Sequence, residues 1–583
     1  MILQKYFMKT HILLVAVCMI LFSCKKTTGN GNGEGTTPPP KDTVVVITPP
    51  VDPAIASSIG FFLNDWQPKT FVTPAYKDTA IPSSGTYTVI VNPPAVITKI
   101  PLSIFGNNAN TWMTQIVTES TLMTDITNLH PHIIRFPGGS ISDVFFWNAP
   151  KNVPPADAPA TLVNANGTQS ASGFWYGKNT ESWTFAVDNY YNMLQQTGNT
   201  GMIIINYGYA RYGTGPKPAE AAAHLAADWV RYDNGRTKYW EIGNENYGDW
   251  ETGFRIDLSK NKDGQPEYVT GDLYGKHFKV FADSMRKAAQ EIGKTIYIGA
   301  VTAEAAPQSW ETNTRRTWNT GLFNTSGNTP DFFIVHNYFT AYQTNSNAAN
   351  ILASASSETK LVMDFVTQSL QSAAVTPKPI ALTEYNINAE GSMQKVSHIN
   401  GMHAVMVLGE ALKNKYGMAA RWDLANAWDN GNDHGMFSNG DEPGAPKWNA
   451  RPAFYHMYYF QKMAGDRLVS STTDNTGLVS YASSFTSGQV GVTLVNKSVS
   501  SLSVQVKFQN FNIGSRFYWY TLTGGGDNGE FSRKVLVNGQ GPAGVAGGPG
   551  NYASINPYSA TATNGIYVTV PAMAIVYMII DKK

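Results

Sequence analysis

Two glutamates and the residues around them carry the chemistry open to this sequence. Glu245 closes the run Trp240–Glu245 (WEIGNE), directly after Asn244, and Glu384 sits in LTEYN. Arg135 lies within IRFPGG, Asn206 precedes Tyr207, His336 and Tyr338 share HNY, and Trp422 stands in RWDL. Two carboxyl groups facing each other across a cleft are what hydrolysis of a glycosidic bond requires. One protonates the departing oxygen; the other attacks the anomeric carbon. The acid must keep its proton near neutral pH, so its surroundings must raise its pKa relative to its partner's. Asn206, Asn244, His336, Tyr338 and Trp422 are candidate substrate contacts, with Asn244 suited to a sugar hydroxyl. Arg135 is suited to hold Glu384 ionised by charge pairing, and Tyr338 to donate to the same carboxylate. Glu241, four residues before Glu245, is the rival acid and is expected inside a strand.

Other chemistries lack their residues. His130-Pro131-His132 has no Cys or His partner at zinc spacing. In Asp429–Asp433, Gly431 falls where a calcium loop needs a ligand. There is no GxSxG elbow, no GxxxxGK[ST] loop, and no GxGxxG after the first apolar run. The expectation is no metal and no cofactor.

These residues need a scaffold that gathers the ends of many segments. Eight β-branched or apolar runs alternate with longer helical stretches between about 100 and 465: Pro101–Phe105, His132–Phe136, Met202–Asn206, Lys238–Ile242, Ile296–Ala300, Phe332–His336, Pro379–Glu384 and Met418–Leu424. Helical candidates between them include Pro218–Tyr232, Tyr274–Ile292, Thr359–Ser372 and Val396–Lys413. Alternation of this kind predicts a parallel sheet, and eight units predict an α/β fold, the (β/α)₈ TIM barrel, over 100–465. Such barrels gather their chemistry at the C-terminal ends of the strands, where Arg135, Asn206, Asn244, Glu245, His336, Tyr338, Glu384 and Trp422 fall. Residues 466–583 lose helical periodicity and predict an antiparallel β-sandwich. Residues 59–99, with FFLND and TYTVIV, read as a β segment joining that sandwich.

The N-terminus reads as an address. Lys5 and Lys9 precede the apolar run Ile12–Phe22, which ends in Leu21-Phe22-Ser23-Cys24. Eleven apolar residues are too few to span a bilayer and suit a signal peptide. Residues 1–23 are expected to be removed, leaving Cys24 as the lipidated first residue, and the Gly- and Pro-rich stretch 24–58 to act as a flexible tether. This predicts a lipoprotein of the bacterial cell envelope, held to a membrane by its anchor. A net charge of +1, with 15% charged residues, offers no field for nucleic acid. Aromatic residues at 12% exclude a disordered chain. Two cysteines, one of them in the leader, exclude a disulfide framework.

The motifs resemble a known family. WEIGNE resembles the acid/base strand of clan A glycoside hydrolases. RFPGG at Arg135–Gly139, Asn206-Tyr207-Gly208, ADWVRYDN at Ala227–Asn234 and His336-Asn337-Tyr338 resemble family 51 of that clan, the α-L-arabinofuranosidase and endoglucanase family. The resemblance implies a retaining glycosidase acting on oligosaccharides or polysaccharides of plant type, with Glu245 as acid/base and Glu384 as nucleophile. Endo-glucanase or xylanase activity is the alternative within the clan; a non-catalytic sugar-binding lipoprotein is the alternative outside it. Two positions depart from the pattern. Thr383 precedes the nucleophile where the family carries Asp, and Ser140 stands where Asn is expected.

Overall fold

Residues 51–583 are described by a computed structural model; the expected leader, Cys24 and the expected tether up to residue 50 lie outside the described residues. Eight parallel strands close into a barrel: β1 Gly106–Asn108, β2 Ile133–Phe136, β3 Thr200–Ile205, β4 Thr237–Ile242, β5 Tyr297–Val301, β6 Phe332–Asn337, β7 Ile380–Tyr385 and β8 Met418–Arg421. Pairing of β8 with β1 shuts the ring. A main helix follows each strand: α1 Ser120–Leu129, α2 Val187–Thr197, α3 Pro218–Asp233, α4 Gly271–Glu291, α5 Asn313–Ser326, α6 Ala348–Ser372, α7 His398–Lys413 and α8 Pro452–Met463. This is the (β/α)₈ architecture that the alternation predicts.

Local chemistry explains the elements. Runs such as Met202–Ile205 and Phe332–Val335 are continuously apolar because a barrel strand is buried on both faces. Four successive helices, α4 to α7, begin at Thr270, Thr312, Asn347 and Ser397, whose side chains each accept a backbone N–H three residues on. Pro218 and Pro452 open α3 and α8, where a missing N–H costs nothing. Helix α6 starts eleven residues before the expected Thr359, because Asn347 supplies the cap ahead of an Ala- and Ser-rich stretch with little apolar period.

Several expectations are corrected. Pro101–Phe105 is not the first barrel strand: Leu102–Ile104 makes a buried 3₁₀ turn, and the strand is the polar Gly106–Asn108, in register with Ile133–Arg135. Strand β8 ends at Arg421, so Trp422 begins the loop. FFLND is not a strand; Gly60–Leu63 forms a 3₁₀ turn that plugs the N-terminal end of the barrel. There Phe61 stacks on Tyr297 at 3.8 Å, and Phe62 packs on Tyr239 and Phe332. The tether also ends earlier than residue 58. Asp52 pairs with Arg467 at 2.6 Å and Lys99 at 3.1 Å, and Ser58 donates to the Lys415 carbonyl, so the chain is docked by residue 52.

The C-terminal part is an eleven-stranded sheet that curls over its own apolar core, which includes Leu494, Val504, Phe517, Val568 and Met578. It is mixed rather than wholly antiparallel, because segments from before the barrel join it. Lys77–Asp78 pairs parallel with Tyr558–Ser559, and Tyr87–Lys99 lies parallel to Leu502–Phe508 and antiparallel to Arg467–Thr473. Within Tyr87–Lys99, Pro93-Pro94-Ala95 falls in a bulge between paired Asn92 and Val96, where no ladder N–H is demanded.

Barrel and sheet are welded by buried imidazoles. His398 on α7 and His456 on α8 share a 3.1 Å hydrogen bond; His398 also bonds the Met573 carbonyl, and His456 bonds the Tyr577 hydroxyl. Burial pushes His398 down to about 4 and His456 well below its usual value. Both are therefore neutral when folded, whereas an unfolded histidine takes a proton below about 6.5. The stability they contribute is complete above that value and is lost as pH falls toward 4, by about 1.4 kcal/mol per pH unit per histidine. Thermal unfolding should thus show Tm falling steadily from pH 7 to pH 4.5. A His456→Gln variant should be less stable at neutral pH but fall less steeply; an unchanged slope would remove this pair from the acid response.

Candidate active site

Arg135 is the centre of the site. It sits on β2, fully buried, and its guanidinium fork reaches four acceptors from three other strands or their ends. Nε donates to Glu241 at 2.7 Å, one terminal nitrogen donates to Asn108 and Glu384 at 2.8 Å each, and the other donates to Asn244 at 2.9 Å. Burial opposes its charge, but Glu241 and Glu384 outweigh that and raise its pKa further. Glu241 lies inside β4 with no exposed surface, so it serves as the arginine's counter-ion and not as an acid facing the cleft.

Glu384, on β7, has both oxygens engaged: Arg135 on one, and the Tyr338 hydroxyl donating to the other at 3.0 Å. These are the partners of an ionised carboxylate. Glu245 follows β4 and has a different environment. His336 Nδ1 lies 2.9 Å from its Oε1, and the Trp250 indole donates to its Oε2 at 2.9 Å. Burial, then the charge of Glu304, pushes the Glu245 carboxyl up to about 7. Ligating atoms of Glu245, His336 and Glu384 all lie within 4.8 Å of one another. Although three such groups could in principle hold a cation, Arg135, Tyr338 and Thr383 already occupy Glu384 and the far side of the imidazole. His336 is held neutral by burial and links Glu245 to Thr383, with Nε2 at 3.0 Å from Thr383 Oγ1. The threonine that replaces the family's aspartate therefore has a defined task, fixing that ring.

Around this centre, Asn244 donates to Glu251, which also accepts from Ser140 at 2.8 Å. The serine at the second departure point thus joins the same network. Trp422 is partly exposed and packs across Gly139, whose φ of +50° and proximity allow no side chain: a Cβ would lie 2.7 Å from the indole. Asn206 is the exception. Its amide donates to the Phe145 carbonyl and the Tyr212 hydroxyl, and its oxygen accepts from the Tyr209 N–H. None of its hydrogen bonds reaches either glutamate; it braces the turn after β3. Asn108, Glu251 and Glu304 were not singled out in the sequence. Asn108 follows from placing β1 correctly, since it then stands at a strand end beside Arg135.

Among the tryptophans in the loops that follow the strands, Trp147 is buried against Trp229, and Trp428 lies under Arg451 and Arg533. Trp250, by contrast, has a largely open surface, at 60% exposure.

Comparison with known proteins agrees with this geometry. Residues 125–348, from α1 through the end of the loop after β6, match the family model described as Alpha-L-arabinofuranosidase 1 domain. The match contains Arg135, Asn244, Glu245, His336 and Tyr338; Glu384 lies beyond it. No curated protein sequence matches the chain. Among solved structures, the α-L-arabinofuranosidase of Thermotoga maritima superposes with a TM-score of 0.57 at 16% identity, covering 85% of this chain and 99% of its own. The family 51 enzyme of Thermotoga petrophila gives 0.59 at 16%, covering 85% and 100%. CelM2, a bifunctional glucanase-xylanase from a metagenome library, gives 0.54 at 15%, covering 85% and 99%. At such identities these structures share the fold. Combined with the matched domain, the paired glutamates at the barrel rim show that the chain is a glycosidase, and that it resembles family 51 of the glycoside hydrolases.

Proposed function

We propose that the protein is a retaining glycosidase with α-L-arabinofuranosidase-like preference, using Glu384 as nucleophile and Glu245 as acid/base. The observation that carries the mechanism is the separation of the carboxyls, with an oxygen of each within 4.8 Å of the other. Retaining enzymes hold the pair about 5–5.5 Å apart, whereas inverting enzymes need roughly 6.5–9.5 Å to admit a water. The arabinofuranoside preference rests on the family match over residues 125–348.

In the first step Glu384 attacks the anomeric carbon while Glu245 gives its proton to the leaving oxygen. In the second, Glu245, now ionised, takes a proton from the water that attacks the same carbon from the side the leaving group vacated. Arg135 and Tyr338 each donate to one oxygen of Glu384 and aim it. Asn244 gives one amide hydrogen to Glu251 and keeps a second for the sugar hydroxyl next to the anomeric carbon. The protein works at a bacterial cell envelope, tethered through acylated Cys24.

The roles are separable. Glu384→Ala should abolish turnover of every substrate, because no glycosyl-enzyme forms. Glu245→Ala should still form it from substrates with good leaving groups, and azide should then restore turnover with retained configuration. Azide in Glu384→Ala should give inverted product. The opposite pattern, read by NMR of the glycosyl azides, would exchange the roles.

The pH profile follows from Glu245. Its protonated form does the work, so kcat/KM should fall as pH rises through about 7. Glu304→Gln removes a negative charge that holds the proton on, so this limb should move to lower pH; a limb that stays in place would mean another group sets it.

Anchoring is tested by Cys24→Ala, which should release the protein from the membrane fraction. Retention there would reject the lipid anchor.

A further inference from the structure

The side-chain amide of Asn244 is clamped at both ends. Its Oδ1 accepts from Arg135 at 2.9 Å, and its Nδ2 donates to Glu251 Oε1 at 2.9 Å. A flipped amide would set its nitrogen against a donor and its oxygen against an acceptor, so the two partners together fix which way Asn244 points. Arg135 can only donate. Glu251, in the loop after β4, is the accepting half of the clamp.

The hydrogen bonds of Glu251 are one-sided. The Ser140 hydroxyl donates to Oε1 at 2.8 Å, the same oxygen that Asn244 uses, while Oε2 is buried and has no partner among the described residues. In Glu384, by contrast, the donors fall one on each oxygen. Two donors on one oxygen and none on the other is the pattern of a carboxylic acid, whose carbonyl accepts twice while its second oxygen carries the proton.

The surrounding charges agree. Among the described residues no cation lies within ion-pair distance of Glu251, whose partners are an amide and a hydroxyl; Arg135 reaches it only through Asn244. The groups that face it are carboxyls: Glu245, Glu384 and the wholly buried Asp143. Asp143 has neutral donors of its own, the Gly208 N–H and the Asn246 amide. An ionised Glu251 in that company would be a buried charge with no counter-charge, which is costly. Burial, then the charge of Glu245, pushes its carboxyl up to about 7.

Building on the retaining-glycosidase reading above, we propose that Glu251 is a positioning residue that works as a neutral carboxylic acid, holding Asn244 in the one orientation that leaves its second amide hydrogen to the sugar. The arrangement survives the reaction. When Glu245 gives up its proton, the new negative charge makes Glu251 hold its own more firmly, so the partner of Asn244 keeps the same charge through both steps.

The experiment reads the proton and the positioning separately. Glu251→Gln keeps an oxygen for Asn244 and Ser140 but cannot ionise; Glu251→Ala removes the acceptor. An infrared difference spectrum, unaltered protein minus Glu251→Gln, taken without substrate at about pH 5.5, should show the C=O stretch of a protonated carboxyl, where an ordinary glutamate is ionised. That band should give way to carboxylate as pH rises through about 7. Carboxylate bands alone at the lower pH overturn the proposal. On an aryl α-L-arabinofuranoside at the same pH, Glu251→Ala should lose on the order of tenfold to a hundredfold in kcat/KM, chiefly in kcat, and Glu251→Gln should recover most of that loss. The alkaline limb of Glu251→Gln should lie at lower pH and be narrower than that of the unaltered protein, because no second charge builds up beside Glu245. A glutamine variant no better than the alanine one, or a limb unchanged in place and width, overturns the proposal. Near-UV circular dichroism reports whether Glu251→Ala folds; if it does not, the infrared band and the limb of Glu251→Gln decide. An unaltered protein that hydrolyses no glycoside rejects the glycosidase reading and the positioning role with it, whereas the infrared arm, which uses no substrate, tests the proton on its own.

Discussion

The guanidinium of Arg135 is the constraint from which the rest of the site follows. A buried cation in a barrel interior is tolerable only with its counter-charges in place, and here Glu241 and Glu384 supply them from β4 and β7. Five N–H donors in a rigid plane leave little freedom: Asn108, Glu241, Asn244 and Glu384 must each present an oxygen in a set direction. A lysine could satisfy the charge but not the geometry. The arginine thus binds β1, β2, β4 and β7 across the top of the barrel and holds the attacking carboxylate beside the sugar-facing amide.

The two catalytic carboxyls are chemically identical side chains a few ångströms apart, and the fold makes them different by what it places on each. Glu384 has a cation and a phenol. Glu245 has an indole, a neutral imidazole and, at longer range, the negative charge of Glu304. His336 touches Glu245 directly and Thr383 on its other edge, so the ring cannot turn away from either. Two replacements relative to the family pattern, Thr383 and Ser140, both end up as hydrogen-bonding partners within this network and not as gaps in it.

Most of the barrel was legible because burial on both faces imposes continuous apolar runs, separated by stretches long enough for a helix. Glu245, Glu384, Arg135 and Tyr338 were legible as polar residues at the ends of such runs. What escaped was what propensity does not encode. Gly106–Asn108 is a strand only because β2 and β8 pair with it, so Asn108 went unnoticed. Phe61 and Phe62 look like a strand because aromatic residues favour sheets, yet the barrel's open end needed a plug. Asn206 has the right position in sequence, but a turn closer to it than the cleft claims its amide. Glu251 and Glu304 stand in loops whose folding the sequence pattern does not reveal.

The segment Tyr87–Lys99 waits for its neighbours. Its partners begin at Arg467 and Leu502, so the whole barrel lies between the strand and the strands it pairs with. A chain emerging from its N-terminus must carry this length of valine, isoleucine and threonine unpaired until the barrel has been made. Such a strand is a template for joining copies edge to edge. Pro93 and Pro94, which the finished sheet accommodates in a bulge, deny a foreign strand a continuous ladder during that interval. The same break in register that the finished sheet absorbs thus keeps the segment, whenever it is unpaired, from offering one unbroken edge.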